Sequence, residues 1–285
     1  MIGWILYGRK EAEYNKHYIT MYQEEGKKFD ITFELIIVEE LEYGVRNNTW
    51  YVEYQGEIMK LPTFAISRVI YPLLTRQLEC MKVPVFNGSE VARICNDKAS
   101  TYQVVASLGI DIVDTTFCKR GSLREYLSRR TTKTVVKTVD GHGGQQVFLV
   151  DPNESQQVEE VIMDTEHHDT VIQPLVGKEH KDLRVYVIGD TIIAAILRRA
   201  KEGFKSNFSL GGDVSIYELN KEEREKVQLI IELIKPNMVG IDFIIDDDGE
   251  LIFNEIEDVV GARMLYQCTD INLVKLYIEH ILDHL

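Results

Sequence analysis

Val239–Glu257 reads VGIDFIIDDDGELIFNEIE. Two apolar runs flank Asp248-Gly249, a dipeptide suited to a two-residue turn, so the stretch is predicted to be a β-hairpin. Counting outward from that turn pairs Asp247 with Glu250 and Asp242 with Glu255. Residues opposite one another on antiparallel strands share a face, and Glu257, two positions beyond Glu255, shares it as well. Three carboxylates therefore converge among Ile241, Phe243, Phe253 and Ile256. Like charges so placed repel unless a cation lies among them, and all-oxygen ligands suit a hard ion such as magnesium. An exposed acidic face without an ion has the same spacing. The run Asp246-Asp247-Asp248 falls at the turn tip and is expected in solvent.

A second hairpin, RVYVIGDTIIAAILRR, is expected to turn at Gly189-Asp190. The count places Arg184 opposite Ala195 and Asp182 opposite Leu197, so Asp182, Arg184 and Arg199 share a face. A carboxylate there can take a ribose hydroxyl and an arginine can take phosphate bidentately. A surface Asp–Arg pair gives the same pattern. The following RAKEGFKSNFSLGGD is too polar for core and suits a phosphate or substrate loop. Upstream, TVVKTVDGHGGQQVFLV carries a lone cation, Lys137, in an apolar strand. Its glycine loop, Gly141 to Gly144, lets backbone N–H groups approach an anion. His142 in that loop reads as a structural or substrate-positioning residue. The loop is neither a Walker A motif nor a GxGxxG fingerprint, so neither a P-loop NTPase nor a Rossmann oxidoreductase is supported.

The first ~90 residues alternate strand and helix signals, the start of an open α/β unit. NDKASTYQVVASLG reads as a helix capped by Asn96 or Asp97, and the chain becomes strand-rich from Thr115. Asn220 and Glu223 mark a capped helix, NKEEREKVQLIIELIKP, and an amphipathic helix closes the chain after Asp270.

At 285 residues, 45% hydrophobic and 27% charged, the composition is that of a globular chain able to bury a sizeable core. No run of 18 apolar residues predicts a membrane span. The short apolar start lacks a basic region and reads as a strand rather than a signal peptide, and with the cysteine usage a cytoplasmic location is expected. Four scattered cysteines without a CxxC pair argue against a zinc site or disulfide framework. A net charge of −14 makes a poor nucleic-acid binder. Lys119 to Lys137 holds seven Lys/Arg against one acid, Glu125. That is either a solvated helix face or a positive rim that draws in an anionic substrate.

Together these segments resemble the RimK-like branch of the ATP-grasp superfamily. The resemblance runs from about Phe86 to the C-terminus, with NDKASTYQVVASLGID, VVKTVDGHGGQQV, VIQPLV, DLRVYVIGDTIIAAILRRAKEGFKSNFSLGG and GIDFI…FNEIE in family order. It implies an ATP-grasp fold of mixed α/β and α+β character. A pre-ATP-grasp domain at 1–95 would precede a central lobe at 96–175 and a C-terminal lobe at 176–285, with the two lobes clasping ATP. The implied activity is an ADP-forming carboxylate–amine ligase acting through an acyl phosphate. The alternatives are an ATP-grasp phosphotransferase and a non-catalytic nucleotide-binding module. The implied cofactors are ATP with magnesium, or manganese in its place. The implied partners are a small molecule or peptide with a carboxylate and an amine, neither nucleic acid nor membrane, and a homo-oligomer is left open.

The resemblance also implies roles. Lys98 and Lys137 hold ATP phosphates, helped by Gly143 and Gly144. Gln173, Pro174 and Leu175 form the hinge that meets adenine, and Asp182 takes the ribose side. Lys205, Ser206 and Asn207 reach the phosphates, and Arg199 and Asn207 serve the transferred phosphoryl group. Asp242, Glu255 and Glu257 hold the metal. Arg263 is a candidate anchor for the acid substrate. Three positions depart from the family: Glu257 stands where asparagine is common, Pro174 replaces an acidic hinge residue, and Asp258 to Arg263 replaces a Pro-Gly-like loop.

Overall fold

The structure, a computed structural model, describes residues 1–144, 146–199 and 213–285. β1 (Ile2–Tyr7), α1 (Arg9–Tyr14), α2 (Lys16–Lys27) and β2 (Thr32–Ile37) open the chain. Residues 41–58 then form a separate antiparallel sheet of β3 (Leu41–Arg46), β4 (Thr49–Tyr54) and β5 (Glu57–Ile58), which the α/β alternation does not announce. β6 (Phe64–Ser67), α3 (Pro72–Cys80) and β7 (Val85–Phe86) complete a parallel sheet of order β2-β1-β6-β7. The apolar run of β1 is buried on both faces, as a central parallel strand requires.

α4 (Ser89–Cys95) and α5 (Lys98–Ala106) lead into an antiparallel central lobe. Its elements are β8 (Thr116–Cys118), α6 (Leu123–Leu127), β9 (Thr134–Thr138), β10 (Val147–Val150), α7 (Ser155–Thr165) and β11 (Thr170–Pro174). The C-terminal lobe holds β12 (Lys181–Ile188), β13 (Thr191–Arg199), β14 (Asp213–Tyr217), α8 (Lys221–Ile234), β15 (Met238–Ile245) and β16 (Leu251–Glu257). α9 (Arg263–Cys268) and α10 (Leu273–Asp283) end the chain. No helix among the described residues is long and apolar enough to cross a membrane.

The C-terminal sheet, of order β14-β13-β12-β15-β16, positions the site. One face is apolar: Leu183, Val185, Ile241, Phe243 and Phe253 pack under α8 and α5 in one cluster. α8 is fixed by a capping box between Asn220 and Glu223 and stops at Lys235, in the left-handed region at φ 50°, before Pro236. The other face divides. Tyr186, Ile188, Ile196 and Met238 join α2, α9, α10 and the N-terminal sheet in a second core, while polar residues occupy the remainder. Packing thus crosses the sequence divisions at 95 and 175: α5 belongs to the C-terminal core, and α10 lies in the N-terminal one.

Both predicted hairpins form, but neither by simple counting. β15 and β16 pair Ile245 with Leu251, one residue off the expected register, and a bulge beside Phe243 restores Asp242 opposite Glu255. The extra residue is Asn254. In the second hairpin a bulge between Tyr186 and Val187 inserts Ile193 and moves the outer register by one. Asp182 therefore faces Arg198, not Leu197, and Arg184 faces Ile196, not Ala195. This corrects the expected face of Asp182, Arg184 and Arg199. Arg198, 3% exposed, takes the shared position, and Arg199 is exposed opposite Lys181.

Candidate active site

The site is a cleft between the two lobes. Asp97 caps α5, accepting from the Ser100 N–H at 2.6 Å, and this orients Lys98 in the first turn. Lys98 is buried, its ammonium donating to the Gly141 carbonyl and standing 3.6 Å from Glu255. Lys137 projects from β9 and donates to Asn254 Oδ1 at 2.7 Å. One cation from α5 and one from β9 thus reach the same acidic strand, β16. Burial, aided by the Lys98 charge and opposed by Glu255, brings Lys137 down to about 8. Burial and Lys98 also lower His142, which lines the cleft with Gly141 and Gly144.

Gly143 and Gly144 both have positive φ, 63° and 72°, so the loop holds the backbone shape that suits an anion cradle. At the hinge, Gln173 is buried and donates to Thr115 Oγ1 at 2.8 Å, while its carbonyl accepts from Thr134. Pro174 and Leu175 follow along the cleft. The connection then runs against β15, where Gly177 has φ 75° and a Cβ would meet the Ile245 carbonyl at 2.6 Å. Asp247 fixes this segment by accepting from the Lys178 N–H at 2.8 Å and pairing with its ammonium at 2.9 Å. Asp246 holds the turn, accepting from the N–H groups of Asp248 and Glu250. Of the three acids expected in solvent, two therefore do structural work.

On the polar face of the C-terminal sheet, Asp242 is 1% exposed. It accepts from Arg184 Nε and Nη2 at 2.7 and 2.6 Å and from Arg198 Nη2 at 2.7 Å. Arg198 also binds Asp182, and Arg184 Nη1 reaches Glu257 at 2.8 Å. Burial alone would push the Asp242 carboxyl up, but the two guanidinium charges outweigh it and hold it at about 2. Burial raises Glu257, with Asp242 and Glu255 adding to the shift and Arg184 opposing it. Asp242, Glu255 and Glu257 each offer an oxygen within 4.8 Å of the others. Both oxygens of Asp242 are engaged by arginine, so Glu255 and Glu257 carry most of the spare lone pairs. Hard oxygen donors beside two lysines fit a divalent cation that completes its shell with phosphate oxygens.

Asp182, 7% exposed, borders the cleft beside His180 and Lys181. Lys205, Ser206 and Asn207 lie outside the described residues. Arg263 is not in the cleft. Its guanidinium lies 4.0 Å over the Tyr14 ring and donates to the Tyr14 hydroxyl at 2.6 Å. Asn254, His180 and Lys181 line the cleft without having been singled out from sequence. For Asn254 a signal exists: strict alternation would put Phe253 and Glu255 on one face, a conflict that only a bulge resolves.

Residues 95–281 match the RimK-like ATP-grasp domain. Among curated relatives, the uncharacterized protein MG011 of Mycoplasma genitalium is 28% identical over 199 residues, 69% of this chain and 66% of that protein. The chain thus spans just under two thirds of that relative. A probable alpha-L-glutamate ligase of Vibrio vulnificus is 26% identical over 247 residues, 83% of this chain and 82% of the relative. Among solved structures, the ATP-grasp ligase PsnB complexed with minimal precursor, Mg and ADP superposes with a TM-score of 0.68 at 13% identity. That superposition covers 99% of this chain and 96% of PsnB, and at such identity it speaks for the fold alone. With just under two thirds of its length matched by the family and the same fold throughout, this chain belongs to the RimK-like ATP-grasp family.

Proposed function

We propose that the chain is an ATP-dependent carboxylate–amine ligase. It phosphorylates a substrate carboxylate with the γ-phosphoryl group of ATP, releasing ADP. An amine then attacks the acyl phosphate carbonyl, the C–O bond to phosphate breaks, the nitrogen gives up its proton to the departing phosphate or to solvent, and an amide and phosphate leave. The observation that carries this reading is the apposition of Lys98 and Lys137 to Glu255 and Asn254 across one cleft, beside Asp242 and Glu257.

In this reading the chain's residues bind, orient and neutralise. Lys98 and Lys137 hold the phosphates, with backbone N–H groups of Gly143 and Gly144 beside them. Gln173, Pro174 and Leu175 receive the adenine, and Asp182 the ribose hydroxyls. Glu255, Glu257 and Asp242 hold magnesium, which supplies charge neutralisation on the transferring phosphoryl group. Arg199 and Asn207 are proposed to face that group, with Lys205 and Ser206 on the phosphates. Arg198 instead belongs to the buried scaffold of Asp182 and Asp242. No side-chain nucleophile is needed, because the task is positioning and charge stabilisation.

The relatives set the substrate class to be tried first: L-glutamate and small peptides, each with free carboxylate and amine. Magnesium-ATP with these substrates should yield ADP, phosphate and a product heavier by one amide-linked residue, read by chromatography and mass spectrometry. AMP and pyrophosphate as products would overturn the acyl-phosphate route.

A further inference from the structure

Arg68 is a buried cation in the N-terminal domain that the catalytic cleft does not use. It follows β6 directly and is 5% exposed. Its Nη2 donates to the Val260 carbonyl at 2.9 Å, and its Nε makes a long contact of 3.4 Å with the Tyr7 hydroxyl. Its Nη1 is buried with no hydrogen-bond partner among the described residues. Asp258, the carboxylate that feels its charge, accepts instead from Asn96 at 2.8 Å. A buried charge ordinarily has a counter-ion, because desolvation costs several kcal/mol. Among the described residues Arg68 has polar neighbours but no anion in contact.

The surroundings repeat the shortage. The hydroxyls of Tyr18, Tyr22 and Tyr266 are also buried, and among the described residues they lie near one another without a hydrogen bond of normal length. These rings form one group, Tyr18 lying 5.2 Å from Tyr22 and 6.4 Å from Tyr266 between centroids, with the Arg68 guanidinium 5.4 Å over Tyr18. A guanidinium N–H and three hydroxyls can all donate, and an anion is one partner that such a set suits.

The position adds a second argument. In the order β2-β1-β6-β7, the chain moves to one side of β1 and then to the other, so the switch point lies between β1 and β6. Open α/β sheets bind ligands outside the carboxyl ends of the strands at such a point. Tyr7 and Arg68 stand at those two ends. Val260 joins the place to the catalytic cleft. Its carbonyl holds Arg68, while a Cβ on Gly240 would meet Val260 at 2.7 Å and Arg184 at 3.3 Å. The anion place is thus one loop away from Glu257, which Arg184 holds.

We propose that Arg68, with the hydroxyls of Tyr18, Tyr22 and Tyr266, binds a non-reacting carboxylate of one of the ligase's two substrates. The reacting carboxylate belongs beside Glu255 and Glu257, and the loop at Val260 separates the two places. The substrate class is then an amino acid or peptide that keeps one carboxylate free while another group reacts. Entry is past Tyr18 and Tyr266, whose rings are partly exposed although their hydroxyls are not. Arg263 does not compete for this role, since Tyr14 and Asn15 hold it at the surface.

The assignment takes its substrate class from the ligase reading, and its test needs no turnover. The full chain is titrated with acetate, L-glutamate or n-butylammonium at constant ionic strength without nucleotide, and melting temperature is followed. Acetate and glutamate should give a saturable rise, and butylammonium none. Arg68→Met should need at least about tenfold more glutamate for the same rise, as loss of a charge-assisted bond predicts. Magnesium-ADP should raise the melting temperature of Arg68→Met and the unaltered chain equally. An unaltered glutamate response in Arg68→Met, or no saturable rise with either carboxylate in the unaltered chain, would overturn the site. Absence of a magnesium-ADP response in both proteins would count against the ligase reading instead. Should Arg68→Met fail to fold, Tyr266→Phe keeps the ring and removes one hydroxyl. It should weaken the glutamate response several-fold, and an unchanged response would overturn the site.

Discussion

Asp242→Asn probes the buried scaffold of the site. Asp242 lies at 1% exposure and accepts three bonds, two from Arg184 and one from Arg198. An asparagine offers one acceptor oxygen and turns two N–H donors toward guanidinium groups. Removing one partner of a buried ion pair costs about 3–5 kcal/mol. Arg198 keeps Asp182 and Arg184 keeps Glu257, so neither guanidinium is stranded, and the lower end of about 3 kcal/mol is expected. The pH dependence gives an independent figure. The carboxyl is held at about 2 against an ordinary 3.8, which corresponds to a stabilisation on the order of 2 kcal/mol. Because the folded value is depressed, this stabilisation is complete above the ordinary carboxyl range. It is lost as pH falls from about 4 to about 2. Urea denaturation followed by circular dichroism, at neutral pH and in steps down to acid, should show a gap between the two proteins that narrows in that window. A neutral-pH loss under about 1 kcal/mol, or a gap that does not change with acid, would refute the buried clamp.

Glu255→Gln should cut ADP release by at least ~100-fold while leaving the unfolding midpoint nearly unchanged, because in the proposed reading its partly exposed carboxylate serves the reaction more than the fold. Glu257→Asn should keep measurable activity, and full activity of Glu255→Gln at low magnesium would remove Glu255 from the metal site. Lys137, held at about 8, loses its charge as pH rises through that value. The kcat/KM for ATP should therefore be level below pH 8 and fall above it, whereas the folded state, relieved of a buried cation, gains stability from pH 8 toward 10.5. Lys137→Arg should extend the level region, and a profile flat to pH 9.5 in the unaltered protein would contradict the role. Amide exchange at Gly141 to Gly144 should slow on adding a non-hydrolysable ATP analogue with magnesium, and unchanged exchange would deny the loop a lid role.

Local chemistry was legible wherever one residue type has one physical solution. Gly143 and Gly144 at positive φ, the capping box at Asn220, and Lys137 alone in an apolar strand all read directly. Asp97 rather than Asn96 caps α5, and Asn96 is released to hold Asp258. What could not be read depends on distant partners. β3, β4 and β5 are short and half-exposed, so their residues carry no strong alternation. Arg68 reads as a charge after an apolar strand, FAISR, and only the fold shows it buried under tyrosines from both ends of the chain. Two of the seven cations in the basic run from Lys119 form exposed pairs, Arg124 with Glu159 and Arg129 with Glu125, as a solvated face would, while Lys137 is buried in the cleft.

The two bulges are where counting and structure part, and both sit beside the site. A strand shifted by one residue sends every side chain to the opposite face. In β16 the apolar face needs Leu251 and Phe253, and the polar face needs Glu255 and Glu257, an assignment with no regular solution. Inserting Asn254 solves it and turns that extra side chain toward Lys137. In β13 the same operation at Ile193 brings Arg198 rather than Arg199 beneath Asp182 and Asp242. Hairpin counting predicted Asp242 opposite Glu255 because two single-residue displacements, one in the turn and one in the strand, cancel. It failed for Asp182 because there the turn was placed correctly and only the bulge remained. The informative sign in such a sequence is therefore a clash between the apolar and polar phases of one strand. In this chain that clash falls on the residues that join the two walls of the cleft.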